Sequence, residues 1–195
     1  MNVEPVVLKG KYVSLEPLSE AHVPGLSLVA NDPSIWRYML YGNVNSEEKM
    51  LAWVLDILDR KATGNDQPFV VRHLESGRLA GATRYLEIRA AHRGLEIGGT
   101  WYGRDFQRTP VNTESKYLLL RHAFETLGCI RVQLKADSRN ERSLKAIERI
   151  GAVHEGTLRN HMILDDGVFR HSVYFSILDN EWASVKKGLE EMLNY

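Results

Sequence analysis

The sequence predicts a mixed α+β fold, in which helices alternate with strands that include antiparallel hairpins. Apolar residues recur at three- and four-residue spacing in several separate segments, as they do in amphipathic helices. Between these segments lie runs of β-branched and aromatic residues bounded by turns such as Ser76-Gly77 and Asp165-Asp166-Gly167. Because strands joined by short turns pair antiparallel, the predicted sheet is mixed rather than purely parallel.

The N-terminal third contains one predicted strand and two predicted helices. The strand covers 6–18, and the helices cover 19–30 and 46–62. Ser19 and Ser46 open the two helical patterns, where a serine hydroxyl can accept a hydrogen bond from the first turn. The segment between the helices, DPSIWRYMLYGNVN, is a loop or short helix that is unusually rich in aromatic residues.

The remaining two thirds of the chain alternate more regularly. The predicted elements are three strands within 67–103, a helix at 113–127, a strand at 129–137, a helix at 140–150, a hairpin at 152–178 and a C-terminal helix at about 180–193. Gly128 and Gly151 follow the two central helices, at the position where glycine commonly ends a helix.

Length and composition fit a single globular domain covering residues 1–195. The chain is 44% hydrophobic and 26% charged, which is ample for a core. Lys+Arg and Asp+Glu both number 25, and this balance argues against a dedicated nucleic-acid binder. A single cysteine, Cys129, excludes an internal disulfide. Without a signal peptide or a run of about 20 apolar residues, the expectation is a cytoplasmic protein with no membrane contact.

The segment FQRTPVNTESK, residues 106–116, leads the chain from a strand into a helix. The first N–H groups of a helix have no partner within it and carry partial positive charge, so this junction can bind a diphosphate with help from Arg108. The alternative is a helix cap without a ligand. In that case Thr109 is the N-cap with Pro110 at the first helical position, or Asn112 is the N-cap one step later.

A second strand-to-helix junction, DSRNERS, follows about 30 residues later. Ser138 and Glu141 have the spacing of a capping box, and Asn140 and Ser143 add polar groups to the first turn. Each junction by itself also fits a structural cap. Two of them can face one cofactor if the strands that precede them diverge.

Both junctions lie within one longer segment, EIGGTWYGRDFQRTPVNTESKYLLLRHAFETLGCIRVQLKADSRNERSLKAIERIGAVHEGTLR. This segment resembles the core of the GNAT acetyltransferases, and most of all the RimJ/RimL branch, which acetylates protein N-termini. The resemblance continues into DDGVFRHSVYFSILDNEW and, more loosely, back to LKGKYVSLEPLSEAHV, so it covers nearly the whole chain. It implies the GNAT fold, a bent and mostly antiparallel sheet whose central strands, here 96–102 and 130–136, diverge to hold acetyl-CoA, within a cofactor core at about 96–160.

The resemblance also implies how acetyl-CoA is held. In the family, the amides of a Gln/Arg-x-x-Gly-x-Gly/Ala loop bind the CoA pyrophosphate, and here this loop is 107–112. Pro110 and Asn112 replace its two small residues. Pro110 has no N–H to donate, and the loss of one hydrogen bond to a charged group costs about 1.5–3 kcal/mol. We therefore expect weakened or unchanged binding of acetyl-CoA rather than its loss. The implied cofactor-binding residues, with no metal among the cofactors, are Trp101, Tyr102, Gln107, Arg108, Thr109, Val111, Asn112, Thr113, Asn140 and Ser143.

The implied chemistry is direct attack of a neutral amine on the thioester carbon. Glu96 is the predicted general base, and a structural carboxylate at the end of the sheet is the alternative. Backbone N–H groups at 100–102 are expected to face the developing oxyanion. Many GNAT enzymes protonate the leaving thiolate from a tyrosine that corresponds here to Ile147, which has no proton to give. The candidate acids are therefore Ser143 and Tyr174.

The acceptor is expected between the aromatic segment, with Trp36, Tyr38 and Tyr41, and the final hairpin, with His161. The aromatic residues suit the core equally well. Three functions stay open: acetylation of a protein N-terminal α-amine, acetylation of a small-molecule amine, or CoA binding by a non-catalytic sensor or partner domain. The C-terminal helix covers either the chain's own fold or a second copy, so a homodimer is also left open.

Overall fold

A computed structural model describes residues 1–195, and eight strands form one sheet. The strands are β1 (Leu8–Lys9), β2 (Val13–Pro17), β3 (Gln67–His73), β4 (Leu79–Arg89), β5 (Gly94–Tyr102), β6 (Arg131–Asp137), β7 (Val153–Ile163) and β8 (Phe169–Leu178). Their order across the sheet is β1-β2-β3-β4-β5-β6-β8-β7. Every neighbouring pair is antiparallel except β5 with β6. The predicted mixed α+β fold is confirmed.

Six helices flank the sheet. They are α1 (Val23–Val29), α2 (Pro33–Trp36), α3 (Glu47–Ala62), α4 (Pro110–Arg121), α5 (Glu141–Arg149) and α6 (Trp182–Leu193). The C-terminal helix α6 packs on α4 of the same chain and buries Leu189 and Leu193 in the core. None of the helices has the length and apolar composition needed to cross a bilayer.

The strands β5 and β6 pair only near their starts. The paired residues are Gly94 with Arg131, Leu95 with Val132 and Glu96 with Gln133. Past Glu96, β5 continues to Tyr102 paired with β4 alone, and β6 continues to Asp137 paired with β8 alone. The two central strands therefore diverge and leave the facing backbone groups of each without a strand partner.

A bulge at Gly98 and Gly99 bends β5 where this divergence begins. The register between β4 and β5 shifts here, because Ala82 lies opposite Trp101 whereas Arg84 lies opposite Gly98. Gly99 has a φ of +56°, and a Cβ on it would come within 2.9 Å of Arg84 Nε. Only glycine combines that backbone conformation with so close an approach.

The predicted strand at 6–18 is two strands, because a turn before β2 reverses the chain. Glu114 of α4 holds this turn, accepting hydrogen bonds from the backbone N–H groups of Lys11 at 2.9 Å, Tyr12 at 2.7 Å and Val13 at 2.6 Å. The alternation of residues 6–18 could not reveal the break, since the carboxylate that stabilises it is distant in the sequence.

Candidate active site

A cavity of about 1190 Å³ opens where β5 and β6 diverge. The starts of α4 and α5 form part of its wall, and the segment after α2 closes the far side. Most of the side chains predicted to bind cofactor or substrate line it. These are Tyr38, Tyr41, Glu96, Trp101, Tyr102, Gln107, Arg108, Thr109, Asn112, Thr113, Asn140 and Ser143.

Trp36 and Val111 lie in the core and do not line the cavity. Trp36 is only 3% exposed, donates from Nε1 to the Ala30 carbonyl at 2.8 Å and packs against Trp101 with ring centroids 5.1 Å apart. Its predicted contact with substrate is corrected to a packing role, because a buried indole already hydrogen bonded within the core presents no surface to a ligand. The Val111 N–H is directed to Thr109 Oγ1 at 3.4 Å.

Tyr174 and His161 form a pair beside the cavity rather than in its wall. The Tyr174 hydroxyl lies 3.4 Å from His161 Nε2, and His161 Nδ1 lies 2.9 Å from Ser172 Oγ. Lys135 lies between this pair and the cavity. Its Nζ is 5.7 Å from the Tyr174 ring centroid, and its side chain lines the cavity. Burial raises the pKa of the Tyr174 hydroxyl. Because neither Tyr174 nor His161 lines the cavity, neither side chain would contact a ligand bound in it.

The start of α4 is capped by Thr109, whose hydroxyl accepts from the Val111 N–H, with Pro110 at the first helical position. The alternative with Asn112 as N-cap is wrong. Arg108, immediately before the cap, has a φ of +61°, so the chain enters the helix through a left-handed residue. The cap and the cavity are compatible, since Thr109 and Asn112 both line it.

The start of α5 is capped by Asn140, whose Oδ1 accepts from the Ser143 N–H at 3.1 Å. The predicted capping box of Ser138 with Glu141 is wrong, because the chain turns into the helix two residues later than that spacing requires. Ile147, one turn beyond Ser143, also faces the cavity.

Gln107 ties the two helix starts together. Its Nε2 donates to the Tyr102 carbonyl at the end of β5 at 2.9 Å, and its Oε1 accepts from Arg142 Nη1 of α5 at 2.6 Å. One side chain thus links β5, the loop before α4 and the first turn of α5. This bridge fixes the distance between the two sets of helix N–H groups.

Glu96 lies in the cavity wall at the last position where β5 pairs with β6, and it is 1% exposed. Its Oε2 accepts from Gln133 Nε2 at 2.7 Å and from Lys135 Nζ at 3.0 Å. Burial raises the pKa of this carboxyl, although Lys135 and Gln133 oppose the shift. A buried carboxylate with a raised pKa and two donors that stabilise its charged form can accept a proton from a ligand.

Several cationic side chains in the cavity wall were not predicted, and two of them with polar contacts there are Lys116 and Arg84. Lys116 of α4 donates from Nζ to Thr100 Oγ1 at 2.8 Å, and burial lowers the pKa of its ammonium to about 7. Arg84 of β4 donates to the Tyr41 hydroxyl and lies 3.3 Å from an Asp66 carboxylate oxygen. The four-residue spacing from Asn112 to Lys116, on one helix face, could have indicated the lysine. Arg84 had no such signal, since its place depends on the register of β4 with β5.

A parallel strand pair that opens toward two polar helix starts, with a buried carboxylate where the strands diverge, is the arrangement that the resemblance to the GNAT acetyltransferases implies. The chain belongs to the GNAT acetyltransferase family, since the family model described as "Acetyltransferase (GNAT) domain" matches residues 13–153. The predicted resemblance is therefore confirmed.

Three related proteins illustrate the likeness. The chain is 33% identical over 113 residues to the Bacillus subtilis (strain 168) protein named "Putative ribosomal N-acetyltransferase YdaF"; the match covers 58% of this chain and 61% of that relative's length. A crystal structure of a GCN5-related N-acetyltransferase from Brucella melitensis is 27% identical, with a TM-score of 0.92 over 99% of this chain and 87% of that one. The Microcin C7 self immunity acetyltransferase MccE, crystallised with acetyl-CoA and AMP, shares the fold at 19% identity, with a TM-score of 0.77 over 87% and 93% of the two chains.

Proposed function

We propose that this protein is an N-acetyltransferase that moves the acetyl group of acetyl-CoA to a primary amine, with a protein N-terminal α-amine as the acceptor. The observation that carries the proposal is the position of Glu96. It is a buried carboxylate in the wall of a cavity whose other end is formed by two helix starts. A general base and an anion-binding end in one cavity are what acetyl transfer from a CoA thioester to an amine requires.

The pyrophosphate of CoA is expected at the start of α4. The N–H groups of Asn112 and Thr113 belong to the first turn of the helix, and the Arg108 guanidinium lines the same end of the cavity. Pro110 contributes no N–H there. The pantetheine arm then runs between β5 and β6 past Asn140, in the gap left by the diverging strands.

Catalysis begins when Glu96 takes a proton from the acceptor ammonium, directly or through a water, so that a neutral amine attacks the thioester carbon. The carbonyl oxygen becomes an oxyanion in that step. Past Glu96, the edge of β5 that faces β6 has no strand partner, so backbone N–H groups of this edge point into the cavity. We expect one of them, within residues 100–102, to stabilise the oxyanion.

The acceptor is expected on the side of the cavity formed by the segment after α2. Tyr38, Tyr41, Arg84 and Arg170 line that side. The cavity, at about 1190 Å³, exceeds the usual volume of about 300–1000 Å³ for a single small-ligand site, so it has room for an acceptor as well as the cofactor. The name of the Bacillus subtilis relative supports a ribosomal-protein acceptor over a free small amine.

The test is a thiol-release assay with acetyl-CoA across N-terminal peptides and small amines, run beside calorimetry of acetyl-CoA binding. We expect binding, and turnover that is fastest with a peptide α-amine. Turnover restricted to small amines would contradict the protein acceptor and keep the transferase. Binding without turnover on any amine would replace the transferase with a CoA sensor, a reading favoured by Ile147 at the usual position of the acid.

A further inference from the structure

The proposed reaction releases a CoA thiolate, and the residues assigned to it so far leave that thiolate without a well-placed proton donor. Ile147 faces the cavity where the family tyrosine stands, and Tyr174 lies outside the cavity wall. Ser143 lines the cavity, but a hydroxyl is a weak acid near neutral pH. Lys116 is a stronger acid in the same wall and has no place in the mechanism above.

Lys116 is held in the cavity wall by one threonine hydroxyl, which is itself hydrogen bonded to a second threonine. Its Nζ donates to Thr100 Oγ1 at 2.8 Å, and Thr100 Oγ1 lies 2.8 Å from Thr83 Oγ1. The residue is 7% exposed, and its ammonium forms no ion pair. A buried ammonium with one hydrogen-bond acceptor for its three N–H donors has capacity for an anionic partner.

Lys116 and Glu96 lie on opposite faces of the sheet at the point where β5 and β6 diverge. Glu96 lies opposite Leu86 of β4 and shares its face. Thr83 shares the other face with Tyr85, whose hydroxyl donates to α4. The base therefore lies on the acceptor side and the lysine on the α4 side, so the amine and the leaving sulfur can each have a proton-transfer group of their own.

Burial favours proton release from Lys116. It is the largest influence on the ammonium and lowers its pKa to about 7, while the negative charge of Glu96 of β5 acts in the opposite direction. Glu96 is itself hydrogen bonded to Lys135 of β6, and Arg149 of α5 donates to Thr113 at 2.9 Å, near the start of α4. An alkyl thiol has a pKa of about 8.5, so a proton passes downhill from this ammonium to a thiolate.

We propose that Lys116 is the general acid that protonates the CoA thiolate as the C–S bond breaks. The inference rests on the proposed transferase function. Glu96 first takes one proton from the acceptor ammonium and passes it to solvent. The neutral amine nitrogen then forms a bond to the acetyl carbon and loses a second proton to Glu96. The C–S electron pair then leaves on sulfur, which takes a proton from Lys116 Nζ to give the free thiol of CoA. Lys116 is left as a neutral amine and regains a proton from solvent before the next turnover, while Glu96 releases its own.

The test compares wild type with Lys116→Met in single-turnover acetyl transfer from pH 6 to 9, which isolates the chemical step from product release. We expect Lys116→Met to be about 10²–10⁴-fold slower at pH 6.5. The ratio of wild-type to variant rate should then fall by about tenfold per pH unit above pH 7, because wild-type Lys116 loses the proton that it must donate. Taking the ratio removes the pH dependence of Glu96 and of the acceptor amine, which both proteins share.

A matched control and a second variant keep the result interpretable. Lys145→Met removes a lysine of α5 whose side chain is 78% exposed, and its rate should equal that of wild type at every pH. Lys116→Arg keeps a positive charge but cannot donate a proton in this range, so it should stay as slow as Lys116→Met. Recovery of the rate in Lys116→Arg would overturn the acid role in favour of a fixed positive charge.

Thr100→Val tests the same proton with Lys116 in place. Loss of the hydroxyl acceptor destabilises the ammonium, so the alkaline fall in rate should move to lower pH. A wild type that is inactive with every amine refutes the proposed function itself. The role of Lys116 is refuted, and the proposed function stands, if wild type is active but its loss of rate at alkaline pH is unchanged in Thr100→Val and still present in Lys116→Met. Calorimetric binding of acetyl-CoA and circular dichroism confirm that each variant is folded.

Discussion

Glu96 shows how one side chain can join two strands and also be the proposed general base. It occupies the last paired position before β5 and β6 diverge, where it ties Gln133 and Lys135 of β6 to β5. The same position places its carboxylate in the cavity wall. Burial raises the pKa of this carboxyl above its ordinary value, and the Lys135 ammonium opposes that shift.

Replacing Glu96 with Gln should therefore lower the rate of acetyl transfer without abolishing cofactor binding. We expect a loss of about 10²–10⁴-fold in kcat/KM, because an amide cannot accept the ammonium proton. The acetyl-CoA dissociation constant should change by less than about threefold, since the amide keeps the shape and one acceptor. Glu148→Gln, on the exposed surface of α5, is the matched control. Equal loss in both variants, or none in Glu96→Gln, would contradict the assignment of the base.

Most residues that the sequence predicts to bind cofactor line the cavity, because they lie at or just before helix starts, where local rules apply. Gln107, Thr109 and Asn140 are examples, and all three line the cavity. Trp36 could not be placed in the same way, since an aromatic side chain suits a core and a binding site equally well. Lys116 was missed because its chemistry comes from burial, and burial depends on how α4 packs against β4 and β5.

At the level of elements, the start of α4 is a helix cap, and the proposed function requires it to bind an anion as well. Thr109 caps the helix and Pro110 presets the backbone of its first residue. The sequence left the choice between Thr109 and Asn112 open, because both residue types cap well. The structure decides it through Gln107, which anchors the loop to β5 and α5 and so sets where the helix begins.

Pro110→Gly should move cofactor affinity and stability in opposite directions. The variant gains one N–H donor toward the pyrophosphate, worth about 1.5–3 kcal/mol, and loses about 1 kcal/mol through added backbone freedom. We expect the acetyl-CoA dissociation constant to fall by about tenfold or more while the free energy of unfolding falls by about 1 kcal/mol. Calorimetry and urea denaturation measure the two quantities. Weaker binding in the glycine variant would mean that preorganisation by proline outweighs the missing donor.

At the level of the whole molecule, Glu114 connects the two chain ends to α4, the helix of the proposed anion site. Its fully buried carboxylate accepts three backbone N–H groups from the turn between β1 and β2 and also accepts from the Tyr195 hydroxyl. The neighbouring residue Thr113 lines the cavity. The fold thus supports the site from the side remote from the ligand.

Glu114→Ala should be among the most destabilising single substitutions in this chain. It leaves several partly or fully buried N–H groups without acceptors, which costs on the order of 3 kcal/mol. The exposed Glu141 of α5, changed to Ala, should cost less than about 1 kcal/mol and serves as the control. Urea denaturation of both variants gives the comparison. A cost for Glu114→Ala within about 0.5 kcal/mol of the control would show that water replaces the carboxylate.

The buried Lys116 should make the stability of the whole molecule depend on pH. Its pKa is about 7 in the folded chain and 10.5 as an isolated side chain. Between these values the unfolded chain binds one more proton than the folded chain, so the contribution of Lys116 to the free energy of unfolding rises with pH, by up to about 1.4 kcal/mol per unit. Below pH 7 both states are protonated and the penalty of the buried ammonium is complete.

Lys116→Met removes that penalty because methionine packs a similar volume without charge. At pH 6 the variant should be more stable than wild type by on the order of 2–4 kcal/mol, and the difference should shrink as pH rises toward 10. Urea denaturation of both proteins at a series of pH values measures it. A constant difference across that range would show that Lys116 is not a buried cation in the folded chain. A variant that is more stable yet slower would show that the fold keeps this ammonium for its chemistry, at the expense of stability.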